Sequence, residues 1–182
     1  MPAMEHIAGN IFLIGLMGAG KTTQGKRLAS LLCYPFVDSD QEIVQRTGVS
    51  IATIFELEGE DGFRNRETAV IEELSRRTPL VLATGGGAVL RKENRGYLKT
   101  RGTAVYLHAT PEVLYQRIKA DKSRPLLQVA DPLAKLTELY RQRDPIYRSI
   151  AHIVVNVAAN QPCRQATRDL LQQLKQYLAS TP

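Results

Sequence analysis

The chain of 182 residues has no tryptophan, only four phenylalanines and only two cysteines. Cys33 and Cys163 stand far apart and show no CxxC spacing, so neither a disulfide framework nor a cysteine metal site follows, and a reducing cytoplasm is the expected setting. Aromatic residues make up 6% of the chain, which leaves little for stacking the bases of a nucleic acid. No apolar run is long enough to span a bilayer. The first ten residues lack the basic-then-apolar order of a signal peptide. Internal repeats, low-complexity segments and linker-like stretches are also missing. A single domain over residues 1–182 is therefore expected.

Charge of one sign is in modest excess. Lys and Arg number 24 against 18 Asp and Glu, a formal net charge of +6. The cations are dispersed along the chain. A pocket for phosphates and carboxylates explains the excess as well as a nucleic-acid surface would, and composition alone does not separate the two.

What the sequence does contain begins at residue 11. Ile11-Phe12-Leu13-Ile14 reads as a buried strand, and Gly15-Leu16-Met17-Gly18-Ala19-Gly20-Lys21-Thr22 fits the pattern G-x-x-x-x-G-K-[ST]. This is the P-loop of residues 15–22, in which backbone N–H groups close around phosphate oxygens before a helix start. Gly18, Ala19, Gly20, Lys21, Thr22 and Thr23 are the expected triphosphate contacts. Lys21 is the cation for the β- and γ-phosphates, and the Thr22 hydroxyl is the Mg²⁺ ligand. Leu28, Leu31 and Leu32 are expected on one buried face of the helix that follows.

Further apolar runs of strand length fall at residues 35–37, 80–83, 104–107 and 153–155, with helical patterns between them. Unbroken apolar strands alternating with helices predict a three-layer α/β/α fold around a five-stranded parallel sheet. In such sheets ligands lie at the carboxyl ends of the strands, and residues suited to chemistry follow those ends here.

Asp38 and Asp40 follow the second strand. They suit an Mg²⁺ site and a hydroxyl site, while Asp40 alone also suits the cap of a helix starting at Gln41. Residues 43–74 are helical, with breaks at Gly48 and Gly59 and an N-cap at Ser50. Ile51, Ile54, Phe55 and Leu57 form a core stripe in this reading. Arg64 and Arg66 sit near a helix start, where the dipole disfavours cations; an anionic partner for at least one is the expectation, although an i,i+3 or i,i+4 ion pair would also serve. After the third strand come Gly85, Gly86 and Gly87, whose run favours close approach of backbone to a ligand. Residues 119–132 are polar, bounded by prolines and long for a connection, which suits a mobile lid. Pro145 makes Asp144 a break or kink in its helix.

The ordered set GLMGAGKTT, FVDSDQEI, EGEDGFR, TGGGAV, SRPLL and RQRDPIY resembles the shikimate kinase family, part of the nucleoside monophosphate kinase-like group of P-loop folds. The resemblance covers nearly the whole chain. It implies an ATP-dependent kinase that phosphorylates the 3-hydroxyl of shikimate in aromatic amino-acid biosynthesis, as a monomer without nucleic-acid or membrane partners. It also implies a small helical substrate-binding segment at about residues 40–74. Under it, Arg64 and Arg143 hold the carboxylate of shikimate, Asp40 holds ring hydroxyls, and Gly86 offers backbone. Arg124 reaches the ATP phosphates, Arg117 packs on the adenine, and the backbone near Asn160 closes its other side. Thr22 and Asp38 match the Mg²⁺ positions. Lys21, Asp40 and Arg124 would carry the catalysis. Gluconate kinases and nucleoside monophosphate kinases are the nearest alternatives on this fold, and a nucleotide-gated regulator or RNA-binding protein is the alternative from another class.

Overall fold

A computed structural model describes residues 7–121 and 128–182. Five strands form one sheet: β1 (Ile11–Ile14), β2 (Phe36–Asp38), β3 (Val81–Ala83), β4 (Thr103–His108) and β5 (Ile153–Asn156). Their spatial order is β2-β3-β1-β4-β5, and every pairing is parallel. All four residues of β1 are fully buried, as a central strand covered on both faces requires. Ile11 pairs with Val81 on one side and Thr103 on the other. The chain runs from β1 to one half of the sheet and later to the other, so β1 lies at the switch point where α/β sheets open a ligand crevice.

Helices α1 (Lys21–Leu32), α2 (Ser39–Thr47), α3 (Ile51–Ser75), α4 (Lys92–Thr100), α5 (Pro111–Ile118), α6 (Pro132–Ile150) and α7 (Cys163–Ser180) complete the described fold. Their apolar faces form one core with the sheet. Leu28 and Leu32 of α1 are buried, but Leu31 is exposed, because it lies off the edge of the buried stripe.

The helix breaks follow the sequence. Gly48 ends α2, and Ser50 caps α3 by accepting from the Thr53 N–H. Gly59 interrupts α3 with a φ of 71°, a left-handed conformation that a side chain would strain. Before that kink, Ile54 is buried but Leu57 is 78% exposed, so the stripe predicted there is only partly core. Of the break or kink expected at Asp144, the break does not occur: α6 continues through Pro145. One lost backbone hydrogen bond is outweighed by burial of Tyr147 and Ile150 farther along the same helix.

Candidate active site

The P-loop joins β1 to α1. Gly20 takes the N-cap position of α1 with φ 95°, a conformation open to glycine. No side chain caps the helix, and no acidic residue stands in its first turn. The first-turn N–H groups and the helix dipole thus face the loop as an anion site. Lys21 is nearly buried, and its Nζ donates to the carbonyl oxygens of Gly15 at 2.6 Å and Leu16 at 2.8 Å.

Asp38 ends β2 and serves two neighbours at once. Its Oδ1 accepts from the N–H groups of Asp40 at 3.0 Å and Gln41 at 3.1 Å, capping α2. Its Oδ2 accepts from the Thr22 hydroxyl at 2.6 Å. The helix therefore starts at Ser39 and is capped by Asp38, which corrects the reading of Asp40 as the cap. Asp40 is released to face the cavity. Thr22 and Asp38 present hard oxygen donors side by side. No group of three His, Cys, Asp or Glu residues suited to a metal occurs among the described residues. That donor set fits Mg²⁺, which draws most of its ligands from phosphates and water.

Space explains two of the three glycines after β3. A Cβ on Gly85 would stand 2.6 Å from Asp40 Oδ1, one on Gly87 would collide with the Arg64 guanidinium, and one on Gly86 would lie 3.5 Å from an Arg143 guanidinium nitrogen. The run is anchored at its start, where the Gly85 N–H donates to the Ser39 hydroxyl at 3.1 Å. Gly85 and Gly87 thus make room for two charged side chains from two different helices, while a side chain at Gly86 would meet Arg143 only at ordinary contact distance.

Two cavities adjoin here. One, of about 340 Å³, is lined by Gly18, Gly20, Lys21, Thr22, Thr23, Asp38 and Arg117, among others. The second, of about 320 Å³, is lined by Ile51, Phe55, Phe63, Arg64, Glu67, Gly87 and Arg143. Met17, Asp40, Gly85 and Gly86 line both. A smaller cavity, of about 80 Å³, continues from the first past Arg117, between Ala19, Gln24, Ala158 and Gln161. Asn160 is exposed and does not line it, although its neighbours in the loop do. Arg124 lies outside the described residues, as does the middle of the expected lid at residues 122–127.

Electrostatics divide the two cavities. Burial pushes the Asp40 carboxyl above the usual carboxylate range, and the nearby Asp38 adds to the shift; Lys21 and Arg64 oppose it. Glu67 is 1% exposed, and burial pushes it up to about 7. Its Oε1 accepts from Arg64 at 2.7 Å. Arg66 pairs instead with Glu58, through two bonds of 2.9 and 2.6 Å. Both arginines near the kink therefore have anionic partners. Asp40 Oδ1, Glu67 Oε2 and Arg143 Nε are buried with no hydrogen-bond partner. Buried donors and acceptors left open around one cavity are suited to a polar ligand.

Four contributors were not evident from the sequence. Glu67 holds Arg64, and its i+3 spacing was the available signal. Phe55 and Phe63 wall the second cavity with ring centroids 4.8 Å apart; the core-stripe pattern hid that role. Tyr147 donates to the Gly86 carbonyl at 2.5 Å, a contact between distant segments that no local pattern encodes.

The family model described as shikimate kinase matches residues 17–175. The chain belongs to the shikimate kinase family. A shikimate kinase of Neisseria meningitidis serogroup C is 56% identical over 94% of this chain and 99% of that protein. One of Chromobacterium violaceum is 59% identical over 86% of this chain and 85% of its own length. Among solved structures, shikimate kinase from Acinetobacter baumannii in complex with shikimate superposes with a TM-score of 0.85. It is 52% identical, covering 94% of this chain and 93% of that one. The match of fold and family agrees with the parallel five-stranded sheet and its P-loop.

Proposed function

We propose that this chain transfers the γ-phosphoryl group of ATP to the 3-hydroxyl of shikimate, giving shikimate 3-phosphate and ADP. The observation that carries the reading is the shared wall between the two cavities: Asp40, Gly85 and Gly86 face both. A triphosphate seated on the P-loop and a hydroxylated acid seated between Arg64 and Arg143 then meet at Asp40.

Each residue has a separate task. The N–H groups of Gly18, Ala19, Gly20, Lys21, Thr22 and Thr23 and the Lys21 ammonium neutralise the phosphates. Arg117 lines both the P-loop cavity and the small cavity, and this reading assigns the adenine to the small cavity, with the backbone near Asn160 as its outer edge. Arg64 and Arg143 hold the carboxylate through planar guanidinium forks. Gly86 contributes backbone to the acceptor, and Asp40 orients the reacting hydroxyl. Because burial raises its affinity for a proton, Asp40 is suited to take the one released as the phosphorus–oxygen bond forms. Thr22 and Asp38 would hold Mg²⁺, which when bound supplies charge neutralisation between the β- and γ-phosphates. Arg124 is assigned to the same phosphates from the lid at about residues 119–132, whose closure would exclude water.

The reading takes residues 1–182 as one kinase domain, with residues 40–74 as the acceptor-binding segment, acting as a monomer in the cytoplasm. Cys33 and Cys163, both exposed and unbridged, suit a reducing compartment. No helix among the described residues is long and apolar enough to cross a membrane. A panel of acceptors in an ADP-release assay tests the proposal. Shikimate should exceed gluconate and nucleoside monophosphates in kcat/KM by at least about a hundredfold, because the buried polar groups go unpaired with the wrong acceptor. A faster reaction with gluconate or a nucleotide would overturn it.

A further inference from the structure

Tyr147 lies one helical turn after Arg143 on α6 and is fully buried. Its ring stacks on Tyr106 of β4, with centroids 4.8 Å apart and planes 30° from parallel. Tyr106 in turn donates to Asp144 at 2.8 Å, and Asp144 also receives Arg148 at 2.9 Å. These contacts fix α6 against the sheet. They explain an aromatic ring at position 147, yet a phenylalanine would satisfy them.

The hydroxyl points elsewhere. It donates to the Gly86 carbonyl at 2.5 Å, and the Arg143 guanidinium lies against Gly86, 3.5 Å from where a Cβ there would stand. A phenol has one donor, and this one is directed at a residue that lines the acceptor cavity. Glycine has the widest backbone freedom of any residue, and here three stand in a row. Holding the Gly86 carbonyl sets the peptide plane in the middle of that run. One hydroxyl therefore ties α6, one turn past Arg143, to the glycine loop about sixty residues earlier in the chain.

We propose that Tyr147 is a positioning residue of the acceptor site, its hydroxyl holding the Gly86 backbone beside the Arg143 guanidinium in the arrangement that receives a hydroxylated carboxylic acid. The inference rests on the shikimate reading above. Tyr147 lines none of the three cavities itself; it acts through Gly86, which lines the P-loop and acceptor cavities alike, beside Arg143, which lines the acceptor cavity alone, so the larger effect is expected on the acceptor.

The test is steady-state kinetics on full-length Tyr147→Phe, which keeps the ring. Loss of one hydrogen-bonding hydroxyl should raise the shikimate KM about tenfold, with the ATP KM within about twofold of wild type. Tyr106→Phe removes the neighbouring hydroxyl but not this tie, and should leave the shikimate KM within about twofold. An unchanged shikimate KM in Tyr147→Phe, equal rises in both KM values, or the same rise in Tyr106→Phe would each overturn the proposal. If Tyr147→Phe does not fold, the wild type decides. Its Tyr147 hydroxyl proton should exchange slowly by NMR and shift with shikimate but not with ADP; a freely exchanging or unresponsive proton would overturn the proposal. Wild-type turnover of shikimate is measured alongside. Its absence overturns both readings, whereas wild-type turnover with an unaffected variant overturns only this one.

Discussion

Asp40 sets its carboxylate against the bare Cα of Gly85: a Cβ built there would stand 2.6 Å from Oδ1 and 3.0 Å from Oδ2. The position of the proposed proton acceptor is thus fixed partly by an absent side chain. Gly85→Ala should displace the carboxylate while leaving the P-loop intact. A displacement of this size at a reacting group lowers kcat by about tenfold to a hundredfold. The ATP KM should stay near the wild-type value. Unchanged kcat would show that Asp40 has room to spare.

Removing the charge without removing the contacts isolates the proton transfer. Asp40→Asn keeps the size and one acceptor oxygen. It should bind shikimate by calorimetry with an affinity close to wild type, while kcat falls by roughly two to four orders of magnitude. Near-normal kcat would end the role of Asp40 as a base.

Arg64 serves the acceptor cavity alone. It is absent from the lining of the P-loop cavity and present in that of the second. Arg64→Ala should raise the shikimate KM by about ten- to a hundredfold, the value of a charge-assisted bidentate contact. ATP affinity, read by nucleotide titration, should hardly change. Loss of ATP binding instead would mean that the two cavities are assigned the wrong way round.

Glu67 gives a pH signature in stability. Its carboxyl is raised from 4.5 to about 7 by burial, with Arg64 opposing the shift. Between those values the folded chain holds a proton that the unfolded chain has released. Stability contributed by this group is therefore full below about 4.5 and is lost as pH rises through about 7. The arithmetic gives about 3 kcal/mol over that window. Glu67→Gln should flatten this part of the profile. Urea unfolding at several pH values should show the variant gaining on wild type by about that amount between pH 4.5 and pH 7. Parallel profiles would contradict the burial argument.

Much of this was legible in the sequence where the cause is local. The P-loop announces itself because turn, dipole and lysine all sit within eight consecutive residues, 15–22. The strands were readable because a parallel sheet buries both faces, leaving unbroken apolar runs. Where two residues compete for one local role, the sequence is ambiguous. Asp38 and Asp40 both suit a helix cap, and only the start of α2 at Ser39 decides between them. Periodicity also overstated the core: Leu31 and Leu57 carry the right residue type but face solvent. Pro145 was read as a break or kink because its rule is local, whereas the burial of Tyr147 that keeps α6 unbroken is tertiary. Glu67 and Tyr147 act through partners that folding supplies. Glu67 had only a spacing to suggest it, and Tyr147 had nothing.

The most direct measurement of the central claim is phosphorus-31 NMR of the enzyme turning over ATP, Mg²⁺ and shikimate. A new phosphomonoester at the 3-hydroxyl should grow in step with ADP, with little inorganic phosphate and no ADP when shikimate is left out. Release of inorganic phosphate at an equal rate with or without shikimate would contradict transfer across the shared wall at Asp40.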